Sequence, residues 1–239
     1  MCGRFNSPHL TQAQMLKIIE DFLEVPRLAR IDEAAPPAVD SYNVKPTQQV
    51  QVQYLEREEL VASTARWWFV PHWHKGDVRD WKATTFNARL DTAAEKPVFR
   101  AAWKSGRCLV PVAGYFEWTG PKGAKQPWLI TLESNLPVLF LAGLWSVLAD
   151  GTRTCTILTR EAAPDLSAVH HRMPVILHPD QIEPWLGATV SDAEVLARYG
   201  TGWEGRFRTH EVAPFGLHAD GPELLAAKAA APTESGRLL

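Results

Sequence analysis

Between residues 49 and 159 the sequence repeats one arrangement: a short run rich in β-branched and aromatic residues, then a turn containing Gly, Pro, Asn or charged residues. Gln49-Val50-Gln51-Val52-Gln53-Tyr54 alternates polar and apolar side chains, a charged turn follows at 56–59, and residues 60–70 form a second β-rich run. The pair predicts an antiparallel hairpin. Farther on, Gly120-Pro121-Lys122-Gly123 precedes Trp128-Leu129-Ile130, Ser134-Asn135 precedes residues 138–148, and Asp150-Gly151 precedes residues 153–159. Each is a hairpin signal, because Gly and Asn tolerate the backbone angles that tight turns need. Short strands joined by such turns fold as a largely antiparallel sheet or barrel.

Helical pattern is confined to the flanks. Thr11 with Gln14 forms a capping box ahead of Met15, Ile18, Ile19, Phe22 and Leu23, which predicts an amphipathic helix over 11–24. Asn87 opens a stretch of helix formers running to Trp103, and two short helices are expected at 180–186 and after Ser191, where Glu194 completes a second capping box. Residues 26–41, with Pro26, Pro36 and Pro37, read as a surface loop, and residues 203–212 as a last strand. The fold class is α+β: a single domain with a curved, mostly antiparallel, barrel-like core and peripheral helices.

Composition narrows the function classes. At 239 residues and 46% hydrophobic, the chain can bury one sizeable core, and no repeat or long linker divides it. No apolar run approaches the ~20 residues of a membrane span, and the start lacks the basic and apolar regions of a signal peptide, so a cytosolic protein is expected. Cys2, Cys108 and Cys155 are odd in number and far apart, which argues against a disulfide scaffold. The net charge of −2 requires any nucleic-acid binding to come from a local patch.

The opening Met1-Cys2-Gly3-Arg4-Phe5 carries the distinctive chemistry. Removal of Met1 would leave Cys2 with both a thiol and a free α-amine, whose pKa of about 7.7–8.0 leaves a nucleophilic fraction at neutral pH. An aldehyde meeting a 1,2-aminothiol forms an imine, which the adjacent sulfur captures as a five-membered thiazolidine. The plain alternative is that Cys2 is an early residue that happens to be cysteine. Gly114-Tyr115-Phe116-Glu117-Trp118 places one carboxylate among large aromatics, so Glu117 either points outward from a strand or is desolvated with a pKa suited to general acid work. The aromatic run at 67–74, including Trp73 and His74, is either core or a stacking surface for bases.

Other chemistries fit less well. His72 with His74 and His170 with His171 lack metal-ligand spacing, no Cys-x-x-Cys or His-Glu-x-x-His accompanies them, and adjacent histidines on a strand would face opposite sides. No metal is assigned. A phosphate-cradling glycine loop and a Gly-x-Ser-x-Gly elbow are also missing. The runner-up is an N-terminal cysteine hydrolase or amidotransferase acting on a peptide or amide, with the amine of Cys2 as base. Met-Cys-Gly resembles the start of class II glutamine amidotransferases, but Arg4-Phe5 ends that resemblance after three residues. A non-catalytic single-strand binding module is the third reading.

Six motifs in order resemble a different family. They are Met1-Cys2-Gly3-Arg4-Phe5, Tyr42-Asn43-Val44 with Pro46, Arg66-Trp67 to Pro71 with Trp73, Asn87-Ala88-Arg89, Gly114 to Trp118, and His170-His171-Arg172-Met173-Pro174. Together they are similar to those of the SOS response-associated peptidase, or abasic site processing, family. The resemblance implies a DNA-damage protein that binds single-stranded DNA and links its N-terminal cysteine to the aldehyde of an abasic site, needing no cofactor. It implies Cys2 as nucleophile, Asn87 as the group positioning it, and Glu117 and His170 as proton carriers. Thr159 would line the site, Arg4, Arg89 and Arg172 would contact phosphates, with ordinary salt bridges as the alternative, and Trp73 and His74 would lie against the DNA. Asn43, in the second motif, joins the DNA-binding set. The peptidase label would correspond to removal of Met1, and imine chemistry implies lyase activity. The domain is expected to occupy residues 1–225, with 226–239 as a tail, in a cytoplasmic monomer that reaches the nucleoid on DNA. Trp68 and His171 depart from the family pattern, as does Ala213 after His210-Glu211-Val212.

Overall fold

The computed structural model describes residues 2–24, 26–133, 136–188, 191–200 and 206–229. In chain order, β1 (Arg4–Asn6), α1 (Gln12–Glu20), β2 (Ala29–Ile31), β3 (Gln49–Glu56), β4 (Glu59–Trp67) and β5 (Asn87–Arg89) come first. Next are α2 (Leu90–Ala93), α3 (Arg100–Ser105), β6 (Arg107–Val112), β7 (Gly114–Thr119), β8 (Gln126–Leu132), β9 (Leu139–Val147) and β10 (Arg153–Glu161). The chain continues through α4 (Pro164–Ser167), β11 (Arg172–Pro174), β12 (Ile176–Leu177), α5 (Pro179–Leu186), α6 (Asp192–Gly200) and β13 (Phe207–Glu211).

The hairpin expected at 49–70 forms as β3 and β4, in register from Gln49↔Arg66 to Glu56↔Glu59. Its two turn residues, Arg57 and Glu58, both have positive φ (49° and 69°), the twist that matches paired strands. From this hairpin the sheet closes on itself. β4 lies beside β10, the one parallel pairing in the ring, through Cys155↔Trp67. β10 pairs with β9, β9 with β6 and β6 with β3, all antiparallel. Five strands thus form a barrel without a free edge.

Period-two alternation then sorts the side chains. Val52, Ala65, Cys108, Leu141, Cys155 and Ile157 are buried together inside the ring. Leu60, Leu109, Ala142 and Leu158 belong to the other face, where α1, α3 and α5 pack Met15, Ile19, Trp103 and Trp185 onto them. A second sheet, in the order β1-β7-β8-β13, contributes Phe5, Tyr115 and Ile130 to the interior cluster, and so covers part of the barrel.

Three expectations are corrected. Residues 26–41 are not wholly loop: β2 pairs in parallel with β4, Ala29↔Leu60 to Ile31↔Ala62. All three β2 residues are exposed, so no apolar alternation marks them. Asn87-Ala88-Arg89 is a strand parallel to β10, and helix begins only at Leu90. Hydrogen bonding to a distant strand overrides local helix propensity there. His170 and His171 are not on a strand but precede β11, and their rings stack with centroids 4.3 Å apart.

Other elements follow the sequence reading more closely. Thr11 and Gln14 make their capping box on α1, and the Ser191 hydroxyl accepts from Glu194 N–H at 3.3 Å ahead of α6. The tail is tied down at its start, since Val212 bridges Ala227 and the Lys228 N–H donates to the Glu211 carbonyl at 2.7 Å. The Ser134-Asn135 turn, the beginning of the strand expected at 203–212, and the end of the tail lie outside the described residues.

Gly106 joins α3 to β6 at a contact that leaves no room for a side chain. A Cβ there would come within 2.5 Å of the Trp145 carbonyl oxygen and 3.1 Å of Ala102 Cα. Gly106→Ala is expected to lower unfolding free energy by about 1–3 kcal/mol through overpacking, read as an earlier urea midpoint with an unchanged m-value.

Candidate active site

β1 lies antiparallel to β7, with Arg4↔Phe116 and Phe5↔Tyr115, and Phe5 also exchanges backbone hydrogen bonds with Val44. This double anchoring draws Cys2 into the interior cluster, where it is fully buried and its thiol points to the Arg4 carbonyl at 3.9 Å. Burial, followed by the charge of Glu117, pushes the Cys2 thiol well above the ordinary thiol range. From the other side β5 presents Asn87, whose Nδ2 donates to the Cys2 carbonyl at 2.7 Å. Asn87 Oδ1 is buried without a hydrogen-bond partner among the described residues.

Glu117 occupies the same β7 face as Tyr115 and is 4% exposed. Of the two environments open to it, the structure has the desolvated one, and burial raises its pKa. His170 lies at the adjacent turn with Nδ1 2.9 Å from the Arg172 N–H and 3.0 Å from the Arg172 carbonyl. An unprotonated Nδ1 accepts from that N–H, and a protonated one donates to that carbonyl. The ring therefore keeps a backbone partner in either state. Burial, with the charges of His171 and Arg172 adding, lowers its pKa.

Arg172 is inserted beside β10: Nη2 donates to the Thr159 carbonyl at 2.5 Å and to Thr159 Oγ1 at 3.1 Å. Thr159 Oγ1 in turn donates to the Ala88 carbonyl at 3.2 Å, joining Arg172 to the strand that carries Asn87. Arg89, exposed on that strand, makes a two-point pair with Asp91 at 3.0 and 2.5 Å. The two guanidinium groups are close enough for Arg89 to depress the pKa of Arg172, after the larger effect of burial. They form a local basic patch in a chain of net charge −2. Arg4 is oriented separately, by Nη1 donation to Asn43 Oδ1 at 2.8 Å and by lying 5.6 Å over the Trp118 ring. Asn43 is braced by Nδ2 donation to the Ala219 carbonyl at 2.7 Å.

Cys2, Asn87, Glu117, Arg4 and Asn43 thus form one neighbourhood, which Thr159, His170, Arg172 and Arg89 extend along β10 and β5. Trp73 and His74 lie on the loop between β4 and β5. Trp73 is 49% exposed, and both rings meet Trp81 edge-on at 5.7 and 5.5 Å. Trp68 leans on Phe86 at 5.5 Å, whose carbonyl accepts from Trp67 Nε1 at 2.8 Å, so this pair braces the root of that loop. Sequence reasoning missed Tyr115, Trp118 and Arg160. The strand alternation that put Glu117 inward would have found Tyr115, two residues before it. Among the described residues no group of His, Cys, Asp and Glu could hold a metal ion.

The closed barrel thus buries Cys2 with the Asn87 carboxamide on its backbone carbonyl and the Glu117 carboxyl close by. The chain belongs to the SOS response associated peptidase (SRAP) family, whose model matches residues 1–214. It is 32% identical over 205 residues to abasic site processing protein YoqW of Bacillus subtilis, covering 82% of this chain and 84% of that one. It is 28% identical over 217 residues to abasic site processing protein YedK of Escherichia coli, covering 89% and 92%. A crystal structure of a Bacteroides thetaiotaomicron protein shares the fold, with a TM-score of 0.79 at 22% identity over 95% of this chain and all (100%) of that one. No helix among the described residues is long and apolar enough to cross a membrane.

The buried carboxyl sets a testable pH dependence. A carboxyl whose folded pKa is raised binds more protons in the folded chain, so stability falls as pH rises from about 4 through the raised value. Glu117→Gln removes that slope: the melting temperature of the unsubstituted chain should fall relative to the variant between pH ~4 and 7. Parallel melting curves across that range would contradict it.

Proposed function

We propose that this protein processes abasic sites in single-stranded DNA by joining Cys2 covalently to the opened sugar. The observation that carries the reading is the 2.7 Å hydrogen bond from Asn87 to the Cys2 carbonyl, which fixes the N-terminal residue beside the buried carboxyl of Glu117. Membership of the family and the names of its relatives support the same assignment.

The chemistry starts once Met1, which lies outside the described residues, has been removed. The abasic deoxyribose is mostly a closed hemiacetal, and Glu117, whose pKa burial raises, donates to its ring oxygen as the ring opens. The free amine of Cys2 attacks C1′, and loss of water leaves an imine. His170, with its lowered pKa, is neutral near pH 7 and accepts a proton from the attacking amine. Sulfur then adds to the imine carbon and closes the thiazolidine. If the imine persists, loss of the 3′ phosphate by β-elimination breaks the strand, so the thiol diverts a lyase intermediate into a stable link.

The basic patch of Arg89 and Arg172, with Arg4 aligned by Asn43, supplies phosphate contacts, while Thr159 holds Arg172 in place. Trp73, exposed, and His74, half-buried, offer ring faces to unpaired bases. Cys2 is fully buried, and only a nucleotide free of a partner strand could fold into such a site.

The test is to mix the Met1-processed protein with an oligonucleotide carrying one abasic site and look for a band shift that survives SDS. A stable shift is expected. Cys2→Ser should lose it while leaving an imine trappable by borohydride. No shift with Met1 fully removed would overturn the proposal, and ammonia release from glutamine without DNA would favour the amidohydrolase reading instead.

A further inference from the structure

Tyr115 is 1% exposed, and its hydroxyl is buried without a hydrogen-bond partner among the described residues. Leaving a buried hydroxyl unpaired destabilises a fold, and most such groups are paired. The position is unlike an ordinary core tyrosine in its surroundings. Tyr115 pairs in register with Phe5 on β1, shares the inward face of β7 with Glu117, and belongs to the same buried cluster as Cys2.

We infer that the Tyr115 hydroxyl is the hydrogen-bond donor held in reserve for the Cys2 sulfur during ring closure. The inference rests on the function proposed above and assigns a step of it to a further residue. In that step the thiol gives up its proton as the C–S bond forms, the π pair of the imine moves to nitrogen, and nitrogen takes up a proton. Atoms and charge balance without any co-reactant. The obstacle is the sulfur itself, since burial and Glu117 both oppose its anionic form. A neutral donor nearby favours that form, because a hydrogen bond to the charged state stabilises it.

The groups that face Tyr115 electrostatically agree with this role. Burial comes first in holding its phenol protonated, Cys2 and Glu117 add to it, and Arg160 on β10 opposes them. A phenol that stays protonated is a donor throughout the working pH range. Arg160 is 8% exposed, and Nη1 donates to the Glu161 carbonyl at 3.2 Å, so its positive charge remains close to the cluster.

Tyr115→Phe in the processed full chain separates the steps. With abasic single-stranded DNA, the rate of borohydride-trapped imine formation should match that of the unsubstituted protein. Conversion of imine to the SDS-stable adduct should slow about tenfold, the equivalent of one pKa unit on the sulfur, with its pH midpoint displaced upward. Strand cleavage should rise correspondingly, and the melting temperature should not fall, because only an unpaired oxygen is removed. Ring closure at the original rate and pH midpoint would overturn the inference alone. A lower melting temperature would also overturn it, by showing that the hydroxyl already has a structural partner. Failure of the unsubstituted protein to form either imine or adduct would sink the functional reading and this inference with it.

Discussion

One edge of β10 is divided between two partners, and the site depends on that division. At Thr154 and Cys155 the edge pairs with β4 and closes the barrel. From Ile157 to Thr159 it pairs instead with β5. The change of partner lets the 19 residues between β4 and β5, 68–86, leave the barrel wall as a loop and return with Asn87 in strand geometry. Backbone hydrogen bonds to β10 then set the height of Asn87, and the carboxamide reaches Cys2 as a result. Arg172 is held by Thr159 on the same strand, so the basic patch and the Cys2 anchor share one rigid support. Sites built on strands hold their geometry better than sites on loops.

Within that frame, desolvation is the largest influence on the reactive groups. It is the leading cause of the raised thiol of Cys2, the raised carboxyl of Glu117 and the lowered imidazole of His170. All three are thereby pushed toward their neutral forms. Desolvation in one enclosure therefore favours the protonated acid at Glu117 and the unprotonated base at His170. The guanidinium groups keep their charge even where burial lowers their pKa, as at Arg4 and Arg172. Arg89 stays exposed, and Arg4 and Arg172 are aligned by uncharged acceptors, Asn43 Oδ1 and Thr159. Uncharged alignment leaves those positive charges without a neutralising carboxylate partner, whereas the pair with Asp91 partly neutralises Arg89.

Legibility in the sequence followed the physical origin of each feature. The β3–β4 hairpin and the capping boxes of α1 and α6 were readable because periodicity and cap chemistry are local. β2 was not, because its three residues are exposed and paired only through backbone. β5 looked helical because its short pairing is dictated by a strand some 70 residues later in the chain, Asn87 meeting Ile157. The motifs placed Cys2, Asn87, Glu117 and Arg172 in the candidate set, yet could not say that Thr159 braces Arg172 or that Ala219 braces Asn43. Those contacts join segments far apart in sequence. Trp73 and His74 were singled out by their motif, and the fold adds their shared packing on Trp81, which no sequence spacing showed.

Burial of Cys2 carries a tension that the site geometry resolves. An exposed 1,2-aminothiol would react with any aldehyde and oxidise readily, because oxidation follows thiolate character and access. A fully buried thiol pushed up in pKa is inert on both counts. Under the function proposed here, that protection would also suppress the intended reaction unless the sulfur were aided after the sugar had arrived. The amine needs no such help, since its neutral form is the nucleophile and burial favours that form. The two halves of the aminothiol therefore respond oppositely to desolvation, which orders the chemistry: imine first, sulfur second. In that proposed sequence selectivity would follow from the order, because the slow partner would act only on an aldehyde already held long enough to form the imine.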